Sequence, residues 1–274
     1  MKSPLALFRR RPRVSVIRLE GVIGAAGRLG GPSLTDARLA PLIEAAFRKG
    51  KPKAVALSIN SPGGSAAQSS LIAARIRRLA DELKIPVHAF VEDVAASGGY
   101  WLATAADRIH LDPNSLVGSI GVIYAGFGFP ELLARHGIER RVHTAGVDKS
   151  MLDPFRPERQ EDVDRLMALQ RQIHGNFIDQ VKERRGARLA DRDLFTGEIW
   201  VGEGGIEVGL ADEIGHLAPT MRRLYGDDLR FSMIAPRRPL FRRLGVPGVA
   251  DAVGEAIGTA EAASHWARFG LAAP

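Results

Sequence analysis

Apolar positions along this chain follow two alternating rhythms. Val14 to Leu19 is a β-branched run that stops at Glu20-Gly21, and Ala54 to Ile59 and Val87 to Val91 are short, mostly apolar runs, each with one polar residue, Ser58 and His88. All three have the length and composition of buried strands. Between them the spacing becomes helical. Leu39, Leu42, Ile43 and Phe47 share one side of a segment that opens at Ser33-Leu34-Thr35-Asp36, where N-cap residues are on offer, and stops at Lys49-Gly50-Lys51-Pro52. Ile72, Ile76, Leu79 and Leu83 repeat that spacing after the turn Asn60-Ser61-Pro62-Gly63-Gly64-Ser65. A short helix over Tyr100 to Ala105 and a strand over Arg108 to Leu111 continue the alternation.

Further on, the pattern predicts a helix over Pro130 to His136 and a strand over Glu139 to His143. A long helix follows, with Pro157 as its first residue and Gly186 as its stop; its apolar stripe (Val163, Leu166, Met167, Ile173, Phe177, Val181) reads as core or as a subunit contact. A short helix and a strand are expected between Phe195 and Ile214, and a last helix over Pro219 to Tyr225. Strands alternating with helices imply an α/β fold, a mostly parallel sheet with helices packed on it. In such sheets ligands bind at the carboxyl ends of the strands, where the turns at Gly63-Gly64 and Gly98-Gly99 both fall.

With 274 residues, 45% hydrophobic and 25% charged, the chain can bury a substantial core. It contains no cysteine, which excludes disulfides, thiolate catalysis and cysteine-ligated zinc. No cofactor is called for. The net charge of +7 sits largely at the two ends, at Arg9, Arg10, Arg11 and Arg13 and at Arg237, Arg238, Arg242 and Arg243. Without interleaved aromatics these read as solvated arms, and no nucleic-acid partner is expected. Residues 1–13 form a basic arm, 14–234 the main domain, and 235–274 a tail rich in arginine, then in alanine and glycine. In the tail Val246, Val249, Val253, Ile257 and Ala260 fit one face of a docked helix. The apolar run near the N-terminus is too short for a secretory signal or a membrane span, so the chain reads as cytoplasmic, with at most peripheral membrane contact.

Candidate chemistry centres on E-D-V-A-A-S-G-G-Y-W-L-A, Glu92 to Ala103, which places Ser97 where a strand turns into a helix. Gly98 and Gly99 let backbone approach a bound group; a plain glycine connector is the alternative. A serine nucleophile needs a base. None of the seven histidines lies in a glycine-rich or turn context. Positive charge is carried by 31 arginines against seven lysines, and arginine cannot give up its proton. Lys149, in a loop leading into Met151-Leu152-Asp153-Pro154-Phe155, is the candidate base, with Asp148 beside it as an unfavourable neighbour. Backbone N–H groups of Gly63 and Gly98 could receive an oxyanion.

Taken together, N-S-P-G-G (Asn60 to Gly64), D-V-A-A-S-G-G-Y (Asp93 to Tyr100), V-G-S-I-G-V (Val117 to Val122) and K-S-M-L-D-P-F (Lys149 to Phe155) resemble the signal peptide peptidase A family of serine proteases, family S49. The resemblance runs from Val14 to about Ser232. It implies a Clp protease/crotonase-like fold over an S49-type peptidase domain, with Ser97 as nucleophile and Lys149 as general base. Ser119, in the V-G-S-I-G turn, is the candidate to hydrogen-bond and orient the lysine amine, a structural turn serine being the alternative. The resemblance also implies a homo-oligomer with active sites near subunit contacts, and peptides or unfolded protein segments as substrates. Three alternatives stand beside it: a Clp-type Ser-His-Asp protease, a crotonase-like enzyme acting on coenzyme A thioesters, and a non-catalytic oligomeric scaffold of the same fold.

Overall fold

The structure, a computed structural model, describes residues 11–24, 34–235, 263 and 265–271. Arg9 and Arg10, most of the loop Gly24 to Pro32, the arginines from Arg237 to Arg243 and the tail positions Val246 to Ala260 lie outside the described residues.

Strands β1 (Arg13–Glu20), β2 (Ala54–Ser61) and β3 (Val87–Ala96) pair in parallel, joined by helices α1 (Asp36–Arg48) and α2 (Ala66–Leu83). All eight residues of β2 are buried, the continuous burial that a central parallel strand covered on both faces requires. α1 begins where the N-cap run expected it, after Thr35, although no side chain caps it. Gln68 Oε1 instead accepts the Asp36 N–H at 2.8 Å, and the Asp36 carboxylate takes two hydrogen bonds from Arg75 at 2.7 Å each, tying α1 to α2. Those bonds hold the Asp36 carboxyl below the usual carboxylate range.

β3 runs five residues past its expected end and forks. Its first half pairs with β4 (Arg108–Leu111), from His88 opposite Arg108 to Val91 opposite Leu111; its last three residues, Val94 to Ala96, pair with β5 (Leu116–Gly118). The bend coincides with a register shift against β2, where Ile59 faces Val91 but Ser61 faces Ala95. A bend of this kind leaves backbone groups unpaired, and buried side chains supply the partners. Asn60 donates to Asp93 Oδ2 at 2.8 Å and accepts from the Val94 N–H at 3.3 Å, while Ser115 Oγ sits 3.0 Å from Val91 O and 2.5 Å from Glu92 O. The asparagine of N-S-P-G-G is thus a structural residue at the fork.

β6 (Ile199–Val201) pairs antiparallel with β5; β7 (Glu213–Ile214) and β8 (Arg230–Ile234) are parallel additions beside β4 and β1. Short helices follow: α3 (Gly98–Ala103) after β3, α4 (Pro130–Arg135), then the long α5 (Gln160–Arg185), α6 (Glu203–Glu207) and α7 (Leu217–Tyr225). α7 packs on Val14, Val16, Ala54, Ala56 and Phe90 through Met221, Leu217 and Tyr225. The described residues form two compact units: one holds the sheet, and residues 121–179 form the other. The division falls inside the span 14–234.

In the second unit two expectations change. Glu139 to His143 forms no strand, because among the described residues this unit contains no other strand to pair with. α5 starts at Gln160 and not at Pro157, with Arg159 O accepting the N–H groups of Asp162 and Val163 while the Asp162 carboxylate binds Arg159 and the Leu152 N–H. Arg159, not Pro157, therefore closes the first turn.

Candidate active site

Ser97 follows the last residue of β3 and precedes the first residue of α3, with φ 52° and ψ −122°. A β-carbon is disfavoured in that region, so the neighbouring structure must impose the turn. Its N–H donates to Gly118 O at 2.8 Å, and its carbonyl accepts the Trp101 N–H at 3.0 Å. All six residues of α3 are buried, and the Tyr100 hydroxyl donates to Leu210 O at 2.8 Å, its pKa pushed up by burial. The result is a fixed strand-to-helix elbow that leaves the Ser97 side chain partly exposed.

Gly63 and Gly98 are brought to this elbow from two adjacent strand ends. A β-carbon on Gly63, whose φ is +105°, would lie 2.9 Å from each of Ala96 O, Gly98 N and Ser97 Cβ. One on Gly98 would meet Ser69 Oγ at 2.4 Å, with the Gly64 nitrogen 3.4 Å away. Only glycine lets the two turns touch backbone to backbone. The Gly63 N–H already donates to Ser61 Oγ, a long bond at 3.3 Å.

Ser119 stands one strand over. Because Ala96 pairs with Gly118, Ser97 and Ser119 are successive residues beyond matched strand ends. Ser119 repeats the unusual backbone, with φ 51°; its N–H donates to Glu198 O at 2.7 Å and its side chain is 8% exposed. Sequence reading found this serine but could not see its conformation, since a positive φ is signalled by glycine and not by serine.

Lys149 lies in the unit of residues 121–179, exposed, in a single 3₁₀ turn from Val147 to Ser150 that opens at Gly146, φ 100°. The Asp148 carboxylate beside it is exposed and pairs with Arg165 at 3.4 Å. Among the described residues no group of three His, Asp or Glu side chains could hold a metal ion.

Two histidines stand far from the elbow. His88 and His110 are 6% and 1% exposed and lie 3.2 Å apart, His88 Nδ1 to His110 Nε2. His88 precedes Ser97 by nine positions, and at about 3.3 Å per strand residue that separates them by roughly 30 Å along β3. Neither ring can serve Ser97 in this chain.

A mostly parallel sheet with a serine elbow and a touching glycine turn at its carboxyl edge is the arrangement of the Clp protease/crotonase-like fold. Residues 80–227 match the profile of Peptidase family S49, and the chain belongs to that family. It is 48% identical over 273 residues to proteins from Brucella melitensis and Brucella abortus named Na(+)/H(+) antiporter NhaA, an alignment that takes in 94% of this chain and 37% of theirs. A putative signal peptide peptidase SppA from Enterococcus faecium is 31% identical over 60% of this chain and 48% of its own length. The chain thus spans well under two thirds of these relatives. Among solved structures, the 1510-N membrane-bound stomatin-specific protease shares the fold, with a TM-score of 0.51 at 15% identity over 83% of this chain and 100% of the other. No helix among the described residues is long and apolar enough to cross a membrane.

Proposed function

We propose that the chain is a serine endopeptidase that cleaves peptides or unfolded protein segments with a Ser97–Lys149 dyad. The observation that carries this reading is the Ser97 elbow, a non-glycine residue held at φ 52° against Gly63 in a member of a peptidase family. Neutral Lys149 takes the Ser97 proton as Oγ attacks the peptide carbonyl, and Ser119 orients the amine. The tetrahedral oxyanion is received by the Gly98 N–H and by an amide of the Gly63-Gly64 turn; Gly64 is favoured because the Gly63 amide is engaged with Ser61. The protonated lysine gives its proton to the leaving amine, forming an acyl-enzyme on Ser97. Water activated by the same lysine then releases the acid.

The peptidase domain is proposed to occupy 14–234. Assembly into a homo-oligomer is supported by apolar side chains exposed in residues 121–179, among them Phe127 at 82%, Ile123 at 64% and Ile138 at 57%. The absence of cysteine supports a cytoplasmic setting. Fluorophosphonate labelling with native mass measurement tests nucleophile and assembly together. Wild type is expected to be labelled at Ser97 and to hydrolyse casein, with Ser97→Ala and Lys149→Ala inactive. Equal hydrolysis by all three proteins would sink the dyad, and no hydrolysis or labelling in wild type would leave the scaffold reading.

A further inference from the structure

The elbow is enclosed by backbone on most sides: Gly118 O below it, Ser61 O against Gly99, and Ala96 O and Gly98 N against Gly63. The face of β3 that bears Val94 and Ala96, the residues leading directly into Ser97, is covered differently. Trp266 packs there at 2% exposure, with Phe269, Leu271 and Leu116 joining the cluster. The segment is locked by its own hydrogen bonds. Leu271 N–H reaches Trp266 O at 3.3 Å and Gly270 N–H reaches Ala267 O at 3.0 Å, with Gly270 at φ 69°. This is the paired bonding of a glycine-terminated helix end, in which the residue after the glycine meets the residue five before it. Here those two residues are Leu271 and Trp266, so one backbone motif sets both side chains onto β3.

We infer that Trp266 is a positioning residue: the C-terminal segment braces the final turn of β3 and so holds Ser97 in its disfavoured conformation. A strained backbone persists only where its surroundings leave it no room to relax. Val94 and Ala96 are each 0% exposed, and the described side chain buried with them from outside the sheet is Trp266. Without it, Ala96 can move away from Gly63, and displacements of about 1 Å at a reacting group cost up to roughly a hundredfold in rate. The inference rests on the peptidase reading for its rate arm only.

The test compares Trp266→Ala with Met221→Ala, which empties a fully buried site in the other cluster, under α7. At a temperature where both are folded, Trp266→Ala should be labelled at Ser97 by a fluorophosphonate at least about tenfold more slowly than wild type. Trp266→Phe should recover most of that rate, and Met221→Ala should label at the wild-type rate. Amide hydrogen exchange over Val94 to Tyr100 should speed up in Trp266→Ala and not in Met221→Ala. Should Trp266→Ala fail to fold, Gly270→Ala strains the helix end with every apolar side chain in place and makes the same comparison. Unchanged exchange at the elbow, or equal slowing by Met221→Ala, would overturn the brace. If wild-type Ser97 takes no label, the peptidase reading falls, and the exchange measurement decides the brace alone.

Discussion

Acidification should weaken the sheet unit through one buried histidine pair. His88 on β3 and His110 on β4 touch at 3.2 Å; His88 Nε2 lies 3.0 Å from the Tyr225 hydroxyl of α7, and Phe90 stacks on His110 with centroids 4.5 Å apart. Glu213 Oε1 is 3.1 Å from His110 Nδ1 but off the line of a hydrogen bond, and is itself taken by Arg223 at 2.7 Å. Burial and the neighbouring His88 push His110 from 6.5 down to about 4, and burial lowers His88 too. The folded pKa lies below the unfolded one, so between those values the unfolded chain binds a proton that the folded chain refuses. Stability is therefore complete above 6.5 and declines as the pH falls toward 4.

With those two values for His110, going from pH 8 to pH 5 removes about 2 kcal/mol. At roughly 2–4 °C per kcal/mol, the melting temperature falls by about 4–8 °C. Urea unfolding followed by tryptophan fluorescence is a suitable assay, because Trp101, Trp200 and Trp266 all belong to the sheet unit. Carboxylates held low by ion pairs, such as Asp36 and Asp212, contribute equally to wild type and to His110→Asn, so the difference between the two isolates the ring. That difference should shrink by about 2 kcal/mol between pH 8 and pH 5. A difference constant to within about 0.5 kcal/mol over that range would refute the reasoning.

Three further outcomes follow from the packing. Arg185 is 3% exposed and binds Asp212, Gly209 O and Ala211 O, so Arg185→Met leaves the buried Asp212 carboxylate with only Arg188 at 3.4 Å and the Ile109 N–H at 2.7 Å and should cost about 3 kcal/mol by urea unfolding, partly regained in Arg185→Met/Asp212→Asn. Gly63→Ala places a methyl 2.9 Å from two backbone atoms at φ +105°, and Ser97 labelling should fall by at least roughly tenfold; a wild-type rate would mean that the two turns need no contact. Ser97→Gly relieves a backbone that Ser97→Ala leaves strained, so it should be more stable than Ser97→Ala by about 1 kcal/mol; the reverse order in thermal melts would deny the strain.

Apolar rhythm located β1 to β4 and the helices between them because each buries a continuous face, and burial is what periodicity records. It missed the fork in β3. Glu92 and Asp93 look like a polar strand end, yet the strand continues because Asn60 and Ser115 satisfy the groups exposed by the bend. β8 was not read from Arg230 to Ile234, since its burial is intermediate and its pairing with β1 spans more than two hundred positions. At the site, Ser97, Gly63, Gly98 and Ser119 were nameable as residues from turn chemistry. Their common geometry was not, because strand register sets it: Ala96 opposite Gly118 and Ser61 opposite Ala95.

The fork also separates two effects of acid that a single activity profile would merge. Below it, β3 carries His88 into the histidine pair; above it, the strand leaves β4 for β5 and carries Ser97, nine residues further along the chain. Protonating the pair acts on the folded population, slowly and through unfolding. On the proposed peptidase reading, protonating the base that serves Ser97 would act on turnover in molecules that remain folded. His110→Asn should accordingly flatten the stability profile and leave the midpoint of the rate profile where wild type has it. A rate midpoint that moves with His110→Asn would place the base titration in the histidine pair's influence, and Lys149 would lose its claim to the role.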